Sequence, residues 1–357
     1  MPSPADEGRN FLPHKEILVI RSLRRCCFSL AVVAAMTLPA AAATQLTGAG
    51  SSFDYPFFSK AFYVYNQKNP DVTVNYQSIG SGGGIAQFSA RNVDFGATDV
   101  PMNAGELTRA PGTVLQIPVT LGGAAIAYNL PGVTTMHLTR QVLADIYLGK
   151  ILKWNDPQIA KLNKGVNLPD MSIVVVHRSD GSGTSYIFTD FLSHVSADWK
   201  SKVGTGKSVS WPAPSSVGAK GTEGVAGQVK STPGAIGYVE MAYVVENNMT
   251  AVLLQNKAGK WVACTPDTVA AAAASKPEVS ATNFSIVDSA AAGAYPISGY
   301  SWVVVYKKPT DRAKELYDVL SWLVGPQGQA NAKSVDYVPL PRNVQEAAAA
   351  TLRQMQR

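Results

Sequence analysis

IVVVHRSDGSGTSYIFTDFLSHV, residues 173–195, holds a strand, a turn and a helix in one short stretch. Ile173 to Val176 is a continuous β-branched run, the pattern of a strand buried on both faces. Beyond the Ser/Gly turn, Ile187, Phe188, Phe191, Leu192 and Val195 recur at helical spacing. In open α/β sheets, ligands bind where a strand's carboxyl end meets a helix's amino end. The first NH groups of the helix are unpaired there and carry partial positive charge, so an oxyanion finds donors without any side chain.

Two upstream segments repeat this pattern. GAGSSF, Gly48 to Phe53, precedes a helix patterned on Phe58, Ala61, Phe62 and Tyr65, with Pro56 in the first turn where its missing NH does no harm. GSGGGI, Gly80 to Ile85, follows an alternating strand pattern at Val72, Val74 and Tyr76. Any one of these turns reads as an ordinary helix cap. Three together, with Arg178 ahead of the third and Asp99 after a fourth apolar run, point to one small, multivalent, tetrahedral anion held from several sides.

Elsewhere, short apolar runs alternate with longer helical patterns, the signature of α/β layering. Further helices are expected at Thr139 to Leu148, Thr310 to Leu323 and Val344 to Met355, and the alanines from Ala270 to Ala274 fit a helix or a loop. No Pro- or Ser-rich linker divides the chain. Two domains are expected from the length, with the chain crossing between them along Gln116 to Tyr128 and Tyr295 to Tyr306. That makes the first lobe discontinuous, 44–120 with 300–357, and the second 121–299.

Residues 1–43 read as an export signal: Arg21, Arg24 and Arg25, the apolar run Phe28 to Leu38, then Ala41, Ala42 and Ala43 before the cut. The apolar run is too short to stay as a membrane span. Cys26 and Cys27 leave with it. They precede the apolar run, where no lipid anchor forms, and Cys264 alone remains, so no internal disulfide can form. Of 31 Lys/Arg and 25 Asp/Glu, the signal removes five and three, which leaves 26 against 22. A charge near +4 without a basic cluster suits a small anion, not nucleic acid or a membrane surface.

The strings GAGSSF, YQSIGSGGGIAQF (Tyr76 to Phe88), VDFGATDVPM (Val93 to Met102), DIYLGKILKWNDPQIAKLN (Asp145 to Asn163), RSDGSGTSYIFTDFL (Arg178 to Leu192) and TPGAIGYVEMAY (Thr232 to Tyr243) resemble, in order, the periplasmic phosphate-binding protein of phosphate ABC importers. The resemblance implies a two-lobed, type II periplasmic-binding fold, each lobe a mixed sheet flanked by helices, with two crossover hinge strands. It implies a monomer that closes on inorganic phosphate in the periplasm and hands it to an inner-membrane ABC permease. Its implied phosphate contacts are the hydroxyls and amides of Ser52 and Ser81, the Phe53 amide, Asp99, Arg178, Ser182, Gly183 and Thr184. Two departures occur: Ser52 stands where many relatives carry Thr, and Asp54 stands where proline is common. Asp54 puts a carboxylate beside an anion site, which repels phosphate unless it points outward.

The chemistry is consistent with that list. A dehydrated phosphate needs many NH and OH groups with few counter-charges; Arg178 adds a charge-assisted pair, and Asp180 orients its guanidinium. Asp99 is purely an acceptor, so its role is to receive a proton that phosphate carries and sulfate lacks.

Enzyme readings fail on spacing. GTGKS, Gly204 to Ser208, lacks the upstream glycine of a phosphate loop, since Ser201 holds that position. Ser182 lacks the glycine two residues before it that a nucleophile elbow requires. His177 is expected to be a bystander. His14, His137, His177 and His194 show no metal spacing, so neither metal nor cofactor is expected. The rival readings are a secreted phosphohydrolase, for which no nucleophile and base are found, and a receptor for sulfate or molybdate, against which Asp99 stands.

Overall fold

The computed structural model describes residues 43–309 and 311–357, so the expected export signal, Ala43 aside, lies outside the described residues. Among these form β1 (Thr44–Gly50), β2 (Val72–Ser78), β3 (Phe95–Thr98), β4 (Val114–Tyr128), β5 (His137–Leu138), β6 (Val174–Arg178), β7 (Ser216–Ala219), β8 (Ala235–Glu240), β9 (Thr250–Ala251), β10 (Leu253–Gln255), β11 (Trp261–Val262) and β12 (Ser298–Tyr306). The main sheet runs β2-β1-β3-β12-β4-β8-β6-β7, with β9 against β4; β11-β10-β5 form a small second sheet. β1 lies parallel to β2 and β3, and β6 parallel to β7 and β8. β12 runs antiparallel to β3 and β4, and β8 antiparallel to β4.

β4 ties the two halves together. Its residues Val114 to Gly123 pair with β12, whereas Ala124 to Tyr128 pair with β8, so the strand changes partners between Gly123 and Ala124. The β4–β12 ladder slips register between Ser301 and Trp302, a bulge that bends the strand locally. One side of the molecule is packed around Phe53, Phe57, Phe58, Phe95, Val303 and Leu320. The other is packed around Trp154, Phe188, Phe191, Trp199 and Tyr238. The fold is therefore two-lobed α/β, with β4 and β12 as the crossing strands.

Local signals set the element boundaries. Thr139 caps the helix Arg140–Tyr147, its side chain accepting from the Val142 amide. The helix expected from Thr310 begins later, at Ala313, and ends at Val324 before Gly325 and Pro326. The alanine run is helical within Pro266–Ala274, capped by Thr265. The last helix spans Arg342–Leu352, about one turn short of the expected Met355.

Gly84 shows why the second turn is glycine-rich. A Cβ there would lie 2.4 Å from the Gly50 Cα and 2.6 Å from the Ala49 carbonyl oxygen, so the helix Ser81–Ser89 can press onto the end of β1 only as glycine. Backbone cannot move aside as a side chain can. Gly84→Ala is expected to cost about 2 kcal/mol by overpacking, read as a lower urea midpoint; an unchanged midpoint would show that the two segments do not need this approach.

Candidate functional site

The carboxyl ends of β1, β2, β3 and β6 lead into the turns and the Asp99 segment singled out above, and that of β7 into a further turn. Ser51 and Ser52 follow β1, Ser81 opens the helix after β2, Asp99 follows β3, and Ser182 caps the helix Gly183–Val195 after β6. These turns meet at the seam between the lobes. The Gly82 amide donates to the Gly181 carbonyl at 2.7 Å, and the Gly183 amide to Ser81 Oγ at 3.1 Å. Gly183 must be glycine, because a Cβ would lie 2.6 Å from the Asp99 Cβ.

Asp99 is buried and accepts from three hydroxyls. Ser51 and Ser301 (2.7 Å) donate to Oδ1, and Thr184 donates to Oδ2 at 3.3 Å. Burial pushes its pKa upward, opposed by the Ser51 and Ser301 hydroxyls and the Arg178 charge. Arg178, also buried, is gripped by Asp180: Nε donates to Oδ1 at 2.7 Å and Nη2 to Oδ2 at 2.5 Å. Burial raises the Asp180 pKa, but the Arg178 hydrogen bonds and charge outweigh it and hold it below the usual carboxylate range. The guanidinium is thus fixed by two charge-assisted bonds.

Several hydroxyls here both cap and remain able to donate. Ser81 Oγ accepts from the Asp99 amide (3.3 Å) and the Gly183 amide, and Ser182 Oγ accepts from the Ser185 amide (3.1 Å). A hydroxyl that accepts as a cap keeps its own O–H for an anion. The Phe53 amide, in contrast, is engaged, donating to Ser51 Oγ at 3.0 Å.

All eight expected contact residues and Asp180 lie on these converging turns, but the set is larger than the sequence suggested. Thr222 stands out. Its amide donates to Ser52 Oγ at 3.0 Å, its hydroxyl lies 3.0 Å from the same oxygen, and Arg178 Nη1 donates to it at 3.3 Å. It belongs to the first turn of the helix Gly221–Ser231, which follows β7 as the other site helices follow their strands. The short, partly exposed SVGA strand gives little pattern, though the β7-to-helix order was readable. Ser51 and Ser301 were also missed; Ser301 comes from a crossing strand with no turn motif. From beneath, Tyr76 and Tyr243 donate to the Ser51 and Ser52 carbonyls at 2.7 and 2.8 Å, fixing the first turn.

Asp54 points neither to solvent nor to a partner. It is fully buried, and neither carboxylate oxygen has a hydrogen-bond partner among the described residues. Burial, then the Asp99 charge, pushes its pKa well above the usual range, which favours the neutral acid and weakens repulsion of an anion. Glu240, equally buried at the start of the helix Met241–Glu246, is pushed the same way by burial. His177 stacks on Trp211, centroids 4.9 Å apart, with its Nδ1 3.0 Å from the Arg178 carbonyl oxygen. GTGKS is a loop, not a strand-to-helix phosphate turn. Among the described residues no group of His, Cys, Asp and Glu could hold a metal ion.

Comparison with known proteins gives the family and the fold. A family model described as PBP superfamily domain matches residues 37–327. Phosphate-binding protein PstS of Pasteurella multocida (strain Pm70) is 46% identical over 309 residues, 85% of this chain and 88% of the relative. The same-named protein of Haemophilus influenzae (strain ATCC 51907 / DSM 11121 / KW20 / Rd) is 41% identical over 314 residues, covering 86% and 92%. A solved phosphate binding protein from Stenotrophomonas maltophilia aligns with a TM-score of 0.69 at 20% identity, over 86% of this chain and 94% of that one, a likeness of fold.

The buried acid Asp54 has a consequence for pH. Its folded pKa lies above the unfolded value of about 3.9, so the folded state holds a proton that the unfolded chain releases. The Asp54 contribution to stability therefore falls as pH rises above about 4, until the folded group itself ionises. Asp54→Asn is expected to make the slope of the urea unfolding free energy against pH more positive above about pH 4. An unaltered slope would mean that Asp54 is not the group holding the proton.

Proposed function

Because the chain belongs to the PBP superfamily and, within it, to the phosphate-binding proteins PstS, we propose that it captures one inorganic phosphate between its lobes and delivers it to an inner-membrane phosphate ABC permease. It acts as an exported periplasmic monomer, cleaved after Ala43, and as a receptor rather than an enzyme. Lobe I is 44–120 with 300–357 and lobe II is 121–299, turning on β4 and β12. The observation that carries this is the meeting of four strand-to-helix turns from both lobes around Arg178 and Asp99, within hydrogen-bonding distance across the seam.

Phosphate is held by Ser52, Phe53, Ser81, Arg178, Ser182, Gly183 and Thr184. Binding exchanges internal bonds for bonds to phosphate: the Ser52 and Thr184 hydroxyls leave Thr222 and Asp99, and Arg178 turns its Nη1 from Thr222. Arg178 supplies positive charge offset by Asp180, which lets the anion leave again. Closure follows because the anion touches both lobes and so has higher affinity for the closed state.

Asp99 accepts the phosphate proton. Sulfate offers none, so it would confront a buried carboxylate with an unpaired charge, at a cost of several kcal/mol and a discrimination of order a thousandfold. Calorimetric titration of the purified, ligand-stripped protein should show one phosphate per chain, no heat with sulfate and no turnover of a phosphomonoester. Absence of phosphate binding, or turnover, would overturn the receptor. In Asp99→Asn, sulfate should begin to compete with phosphate; undiminished selectivity would remove Asp99 from the discrimination.

A further inference from the structure

The GTGKS loop has no place in the anion cradle, yet its lysine makes an ion pair that crosses the seam. Lys207 Nζ reaches Glu106 Oε1 at 2.6 Å and Oε2 at 2.7 Å, and both side chains are largely shielded, 14% and 12% exposed. Glu106 lies on the short helix Ala104–Arg109, which follows Asp99 by five residues and packs through Leu107 against Phe88, Val304 and Tyr306. Lys207 belongs to a loop pinned to the other lobe: the Gly206 amide donates to Thr189 Oγ1 at 3.1 Å, and Thr205 Oγ1 to Ser193 Oγ at 3.0 Å.

Both partners are held in place before they meet. The Glu106 carboxylate is oriented by the Asn103 amide, which donates to Oε2 at 2.9 Å in a capping box. The Lys207 carbonyl accepts from the Ser182 amide at 2.9 Å, so the loop also fixes the cap of the helix Gly183–Val195. One end of the pair is thus rooted just beyond Asp99 and the other just beside Ser182. Burial draws the Lys207 ammonium below its usual range, with Glu106 and then Asp99 working the other way.

We infer that Lys207 and Glu106 form a clasp between the lobes that sets how fast phosphate leaves, Lys207 acting as a positioning residue for Ser182. This rests on phosphate being the ligand. Because neither side chain is assigned to phosphate, the clasp adds to the lifetime of the closed form without entering the cradle. A shielded pair at this distance is worth most when both charges are withdrawn from water, and its loss appears in dissociation, not encounter. The GTGKS string therefore has a use, as a lysine on a short glycine loop that can reach across.

The test uses Lys207→Met, Glu106→Gln and the double variant, with stopped-flow phosphate kinetics and thermal melting with and without phosphate. Gln at position 106 keeps the capping box while removing the charge. Each single variant should speed phosphate release about tenfold or more with an unchanged association rate. The double variant should release no faster than the worse single one, the mark of a coupled pair. Melting should fall only in the phosphate-loaded protein. Unchanged release, additive effects, or an equal loss of melting temperature without phosphate would each overturn the clasp. If the unaltered protein binds no phosphate, the receptor function fails first, and that result is separate from all three.

Discussion

A carboxylate withdrawn from water has to be met by donors, and Asp99 draws its donors from three separate parts of the chain. Ser51 comes from the first turn, Ser301 from a crossing strand and Thr184 from the opposite lobe. An unmatched buried charge costs several kcal/mol, so the seam cannot be assembled from one lobe alone. The close approach of Gly183 to Asp99 and the seating of Gly84 on Gly50 serve the same end. At Gly183 a side chain would have held the lobes apart, and at Gly84, within one lobe, it would have held the helix off the strand.

The positive side of the site is equally constrained. Arg178 supplies a positive charge that acts on Asp99, but it is held by Asp180, which also accepts from the Gly221 amide at 3.1 Å. The guanidinium thereby has a fixed direction and a reduced net charge. Backbone amides and hydroxyls supply most of the remaining polarity, and these groups gain strength from exclusion of water without repelling or trapping one another as full charges would. Asp54 and Glu240 follow the same rule from the other direction: each is buried beside charge, and each is driven toward its neutral form.

Much of this was legible in the residues. The run Ile173 to Val176, the apolar spacing beyond Ser185 and the turns at Ser52 and Ser81 carry strand, turn and helix locally, because burial on a sheet and on a helix face impose different periods. What escaped was set by tertiary contact. Ser301 lies in an apolar strand whose pattern says only that it is buried, and its partner is far along the chain. Thr222 follows a strand too short and exposed to announce itself. For Asp54, charge near an anion site suggested repulsion. Full burial without partners reverses the expectation, because the proton state depends on surroundings that the sequence does not list.

The slip in the β4–β12 ladder falls at Ser301, whose hydroxyl also donates to Asp99. The backbone irregularity at the junction of the lobes and the carboxylate proposed to tell one oxyanion from another are therefore a single hydrogen bond apart. On that proposal, rotation of the lobes and recognition of the cargo are mechanically one adjustment. A lineage that altered the swing of this molecule by changes at that bulge would retune its chemical taste in the same step.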